Sequence, residues 1–334
     1  MRFTWIVLIA WFGGCGPSSS GPAGEPREAR ELARADAVAA VDLDGDGVDE
    51  LILVTDGVAR WPGGELDLGG SLLASARDAR GSGGREALLL GSGMSRDFRE
   101  APARVWRLDA SGGELLWEHN GPRNQITDLR VTADGIWLAA FQDASHVVGG
   151  WLVDGEREPL IRETFATRQL PVGSDQALVG RIYGDKPKSD GDLRLMGKGV
   201  TARTLPTLRG VRSLAVADLD GDKRDEVLVG DGWHYAYGKQ AIARVRLLEA
   251  PDWSTGRTLA SFDGEYTVRE IFVVGDRIVA VGTKGVHLLQ RDGLGWSDTT
   301  LAPIAETGQA VVIQEAAGPA VLISGDPALV VPIP

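Results

Sequence analysis

From Ala35 onward the chain is a succession of short apolar or alternating runs, each broken by Gly and Asp turns. No 15-residue window carries a helical period, so the pattern predicts an all-β protein. One framework keeps returning: an apolar strand, a tight turn, a second apolar strand. It is seen in LRVTADGIWLAAF (Leu129–Phe141), LPVGSDQALVGRI (Leu170–Ile182), EIFVVGDRIVAVG (Glu270–Gly282) and AVVIQEAAGPAVLIS (Ala310–Ser324). Between these runs lie further hairpins, Val105–His119, Gly150–Phe165, Ala243–Phe262 and Val286–Ile304.

Two stretches carry the same framework with a charged turn. Ala40–Val54 reads AVDLDGDGVDELILV and Leu214–Val229 reads LAVADLDGDKRDEVLV. Turn centres then fall near Asp44, Arg80, Asp134, Ser174, Asp220, Gly275 and Ala317, in steps of roughly 36 to 55 residues. Seven units of about 45 residues, each with room for four strands, predict a seven-bladed β-propeller. The last unit has only three strands before the chain ends at Pro334. An open ring leaves raw strand edges, so the segment Glu25–Ala33 is expected to supply the missing outermost strand. The expected organisation is a signal peptide over 1–14, a tether over 15–24 and one propeller over 25–334.

The charged turns bear chemistry. Asp42, Asp44 and Asp46 alternate, and Glu50 follows four residues later, with glycines at Gly45 and Gly47. A hard cation takes six to eight oxygens at about 2.3–2.6 Å, and alternate carboxylates on a tight loop converge on one point. Glycine supplies the positive φ such a loop needs. The expected calcium ligands are Asp42, Asp44, Asp46 and Glu50 with the Val48 carbonyl, and at the second site Asp218, Asp220, Asp222 and Glu226 with the Arg224 carbonyl. The loop is shorter than an EF-hand and lies between strand-like runs rather than helices. A worn copy, DARGSGGRE at Asp78–Glu86, puts Arg80 and Ser82 at middle ligand places and is not expected to hold metal. An Arg80 salt bridge is the expected substitute.

The pattern D-x-D-G-D-x-x-D-E before an apolar strand resembles the FG-GAP/VCBS repeats of integrin-α-like propellers. That resemblance implies that each acidic loop joins the first two strands of a blade and binds calcium. Lys223 departs from it, standing where the first copy has Gly47. LDASGGELLW (Leu108–Trp117) separately resembles a repeat of quinoprotein-type propellers, including the lipoprotein of outer-membrane barrel assembly.

Composition narrows the partners. Of 334 residues, 43% are hydrophobic and 25% charged, and the net charge of −12 argues against a nucleic-acid footprint. Arg2 followed by the apolar run Phe3–Phe12 fits a signal peptide, being too short to span a bilayer. The run ends before Cys15, the only cysteine, and a Gly/Pro/Ser tether follows. This resembles a bacterial lipobox, with Phe12 where Leu is usual, and implies lipid attachment at Cys15 and an envelope protein. Gly16 in place of Asp leans toward the outer membrane. A monomer is expected.

No histidine pair has zinc spacing, and no GxSxG, Walker or GxGxxG motif occurs, so no enzyme is expected. His287 in its apolar run reads as a packed histidine. A propeller's longer connections between second and third strands would share the face opposite the acidic loops, and exposed loops on a rigid scaffold commonly bind. Their anchors, Arg96, Phe98, Arg99, His146, Lys186, Lys188, Trp233, His234, Tyr235, Tyr237 and Lys239, make that face the expected protein- or glycan-binding surface. The competing readings are an assembly scaffold working by strand addition and a pore-centred hydrolase or lyase.

Overall fold

The computed structural model describes residues 27–79, 85–94, 101–143, 145–164, 166–182, 191–205, 210–232, 242–265, 267–293, 295–305 and 308–334. The signal peptide, Cys15 and the tether lie outside these residues, as do Arg80, Ser82, Arg96, Phe98, Arg99, Lys186, Lys188, Trp233, His234, Tyr235, Tyr237 and Lys239.

Seven four-stranded antiparallel sheets follow one another along the chain, and among the described residues there is no helix. The first strands of the blades are Ala37–Val41, Ser71–Asp78, Ile126–Thr132, Ala166–Pro171, Gly210–Ala217, Val268–Val274 and Ala310–Glu315. In blades 1 to 6 the strands pair in sequence order. The first strands of neighbouring blades contact one another, which makes them the inner lining of the ring. The fold is a seven-bladed β-propeller.

Blade 7 is closed as expected. Its three C-terminal strands end at Leu329–Pro332, and Arg30–Glu31 adds the fourth in the register Arg30↔Val330 and Glu31↔Leu329. The strand is short, but its flanks extend the grip. Leu32 N–H donates to Ala328 O at 2.8 Å, and the Arg27 guanidinium donates to Pro319 O at 3.0 Å and Ile333 O at 3.4 Å.

Burial explains the sequence pattern. A propeller strand away from the rim is covered on both faces by adjacent blades, so second strands such as Ala87–Gly93 and Glu226–Gly232 are buried along their whole length. Seven apolar clusters each join two neighbouring blades, including Val38, Ala40, Ile313, Leu322 and Val330 between blades 7 and 1. Close approach requires glycine in places. A Cβ on Gly180 would lie 2.5 Å from Val211 of the next blade's inner strand.

Candidate functional site

The acidic loops join first to second strands in blades 1 and 5, pairing Val41↔Glu50 and Ala217↔Glu226 at their bases. Their backbones are superimposable in hydrogen bonding. In the first, Gly45 and Gly47 N–H donate to the two oxygens of Asp42 at 2.6 and 2.9 Å, and Asp46 N–H to Asp44 at 3.0 Å. Val48 N–H donates to Asp46 at 2.8 Å and Leu43 N–H to Glu50 at 2.6 Å. The second repeats every bond, from Gly221 and Lys223 N–H to Asp218, Asp222 to Asp220, Arg224 to Asp222 and Leu219 to Glu226. The loops demand left-handed residues at equivalent places. Gly47 has φ 85° and Lys223 φ 68°, so the departure in the second copy is a lysine held where glycine is favoured.

Asp42, Asp44 and Glu50 converge with one ligand atom each, all within 4.8 Å of one another, and Asp218, Asp220 and Glu226 do the same. Two oxygens on opposite sides of a calcium ion at about 2.4 Å each are separated by about 4.8 Å, so the spacing fits one coordination sphere. Asp46 and Asp222 fall outside the clusters and cap the N–H groups of Val48 and Arg224. Burial, then repulsion from the neighbouring aspartates, pushes Glu50 and Glu226 above the usual carboxylate range. An all-oxygen donor set with uncompensated negative charge is the chemistry of a hard-cation cage.

The worn copy is shifted by one residue from the expected alignment. Asp78 pairs with Ala87, the place that Val41↔Glu50 holds in blade 1. Both hairpins enclose equally many residues, so Asp78 corresponds to Val41 and Glu86 to Asp49, and neither occupies a ligand position. Among the described residues, a salt bridge beside this turn comes from Arg77, and Arg80 lies outside them. The Arg77 guanidinium is bidentate on Asp49, 2.9 Å for Nη1, and donates to Val312 O at 2.9 Å, while Glu86 lies 3.6 Å away. Asp49 also accepts from Gln314 N–H at 2.5 Å, and its own N–H donates to Gln314 O at 2.8 Å. Sequence reading left this aspartate unassigned. Its signal was its place in the D-x-x-D-E end of the motif, and its role is to tie blades 7, 1 and 2 together.

On the opposite face, the connections between second and third strands are longest in blades 2, 4 and 5, and shorter in blades 3 and 7. In blades 1 and 6 two residues suffice, Asp56–Gly57 and Thr283–Lys284. The ends of the blade 4 connection are clamped by Arg181, which is 2% exposed and bidentate on Asp192 at 2.6 and 2.7 Å. Arg194 joins Asp192 at 3.1 Å and Glu163 of blade 3 at 3.3 Å. His146 is the described member of the expected binding set. Its Nδ1 lies 2.9 Å from Asp143, which also takes Arg162 at 3.0 Å. Hydrogen bonds from Ser145 and His146 N–H hold the Asp143 carboxyl far below its usual range. His287 is packed as expected, 8% exposed and stacked on Phe262 at 4.1 Å.

No family model matches the chain, and no curated protein matches it. Among 482 matching chains of solved structure is one described as "Structure of U3-55K", with a TM-score of 0.58 at 11% identity over 92% of this chain and 98% of that one. At that identity the likeness carries the architecture alone, because one fold hosts many functions.

Proposed function

We propose that this protein is a non-enzymatic propeller of the bacterial envelope, anchored by lipid on Cys15, stiffened by calcium in two loops, and presenting its long-connection face to a protein or glycan partner. The observation that carries the reading is the duplicated loop: five identical N–H hydrogen bonds and three convergent carboxylates in each of two blades. Asp42, Asp44 and Glu50 would hold one ion and Asp218, Asp220 and Glu226 the other. Bound calcium would neutralise these carboxylates and fix the turn that launches the second strand. Clamping of the blade 4 connection by Arg181 and Asp192 supports a preorganised opposite face.

The test is thermal melting of the full chain with EDTA and then with restored calcium. A fall of several degrees with EDTA, largely abolished at the first site by Asp44→Ala, is expected. An unchanged melting curve in EDTA overturns the calcium role. Mass spectrometry of the mature N-terminus tests the diacylglyceryl cysteine, and a sugar array run beside an envelope pull-down separates glycan from protein partners.

One observation favours a second reading, an assembly scaffold that binds by strand addition. The outermost strand of blade 2, Gly112–His119, has a free edge and carries Leu115, 44% exposed. Exposed edge strands pair with incoming chains. Pull-down loss on Glu114→Pro would favour it over the loop face.

A further inference from the structure

The side of blade 2 turned toward blade 3 changes character at one end. Leu89 of the second strand pairs with Arg107 of the third, and alternation puts Ala87, Val105 and Asp109 on the same side as these two. Leu89 and Val105 belong to the apolar joint with Leu129 and Leu138 of blade 3. Beyond them the side continues as Arg107 and Asp109, and Ala87 and Ala110 supply little bulk. The result is a cleft of about 380 Å³ at the acidic-loop end of the blade, lined by these four residues with Arg85, Glu86 and Ser111.

The charges around this cleft are unequally engaged. Asp109 accepts from Ser111 N–H at 2.8 Å and from Ser111 Oγ at 2.5 Å, both on one carboxyl oxygen. Those bonds hold it below its ordinary range, and the charge of Arg107 is the weakest influence on it. Glu86 answers to Arg77 at 3.6 Å, and Arg77 is itself bidentate on Asp49. Arg85 and Arg107 have neither a hydrogen bond nor an ion pair among the described residues, and Arg107 Nε is buried without a partner.

Arg77, Arg85 and Arg107 set against Asp49, Glu86 and Asp109 leave no net charge. The first acidic loop adjoins the cleft as well, since Glu86 N–H donates to Asp42 O at 3.0 Å. A ligand is therefore recognised group by group and not by a general positive field. A half-buried guanidinium without an acceptor is costly, and a carboxylate is the acceptor that fits its fork. The second oxygen of Asp109 takes no hydrogen bond, and an ionised carboxylate only accepts, so what meets it must donate. Ser111 Oγ, having given its proton to Asp109, can accept. Free donors and free acceptors side by side suit hydroxyl groups, which do both; an ammonium can only donate.

We propose that this cleft binds a sugar acid, its carboxylate on Arg85 and Arg107 and its ring hydroxyls on Asp109 and Ser111. A volume of this size suits a small-molecule ligand. The cleft lies on the face away from the long connections, and none of its lining residues is an expected calcium ligand, so the inference stands apart from both parts of the proposed function.

The test is isothermal titration of the full chain in detergent with glucuronate, glucose and glutamate in turn. Expected is saturable one-to-one binding of glucuronate, with glucose and glutamate much weaker. The double change Arg85→Gln/Arg107→Gln should weaken glucuronate about tenfold or more, as loss of charge-assisted hydrogen bonds does. Asp109→Asn, which can still accept from Ser111, should weaken it less, and Arg60→Gln, exposed on blade 1, should leave it unchanged. Absence of saturable glucuronate binding to the wild type overturns the proposal. Equal affinity for glucose overturns it too, since the carboxylate would then go unread, and tighter binding of glutamate does so by replacing hydroxyls with an ammonium. Equal affinity in a double variant that melts normally also overturns it. The three wild-type titrations decide the matter even where a variant fails to fold.

Discussion

Asp49 and Lys223 show how much rests on single positions in loops that read almost alike. The Asp49 side chain is 1% exposed and answers both the Arg77 guanidinium and Gln314 N–H. Removing one member of a buried pair leaves the other uncompensated, at a cost of about 3 kcal/mol. Asp49→Ala is expected to lower the unfolding free energy by that amount in urea melts, and a loss under about 0.5 kcal/mol would remove its role as a tie between blades. Lys223 runs the other way. A non-glycine residue at φ 68° is strained by about 1 kcal/mol. Lys223→Gly should recover most of it in calcium-free urea melts and, by withdrawing a cation, tighten calcium at the second loop more than at the first. Equal calcium affinities before and after the change would separate the lysine charge from the site.

At the scale of the strand, ring closure rests on a short element with extended flanks. Arg30–Glu31 pairs with Val330 and Leu329, Leu32 continues the ladder onto Ala328, and Arg27 covers the end of the chain at Ile333. At about 1 kcal/mol per net hydrogen bond, a chain starting after residue 33 is expected to lose about 3–5 kcal/mol and to self-associate through the bared edge of Leu329–Pro332. Light scattering reads the association, and a synthetic peptide covering 25–36 should reverse it. A monomeric truncation with unchanged melting would mean that the apolar joint between blades 7 and 1 closes the ring unaided. This strand was legible because three apolar runs in the final unit demand a fourth. The register of the worn loop was not. Two acidic residues eight positions apart matched the motif by letter, whereas the hairpin follows burial and pairing, which seat Asp78 at the end of a strand. The inner-strand arginines Arg130 and Arg168 were equally silent, because the strand pairing that brings them to Glu270 leaves no residue signature. Arg130 and Arg168 meet at Glu270 only once the strands stand round one axis.

For the whole molecule, the acidic loops and the buried carboxylates predict a coupled response to pH and calcium. Glu50 and Glu226 are raised above their ordinary range by burial first and by their aspartate neighbours second, and Glu86 and Glu270 are raised chiefly by burial. An acid whose folded pKa is raised binds its proton more tightly in the native state. Its stabilising contribution is full below the unfolded pKa and is lost as pH rises through the folded one. In EDTA, stability should therefore increase as pH falls from neutrality toward the ordinary carboxylate range. Groups shifted the other way, Asp36 and Asp109 through hydrogen bonds from Asp56 N–H and from Ser111, reverse the trend at lower pH. Their contribution is present above the unfolded pKa and disappears as pH falls through the folded one. Calcium needs the ionised carboxylates, so saturating calcium should raise stability most at neutral pH and flatten or invert the gain on mild acidification. Melting temperatures between pH 5 and 8, with EDTA and with calcium, measure both slopes. Parallel curves would mean that the clustered carboxylates do not sense the ion, and the two loops would then be turns closed by their own N–H groups alone.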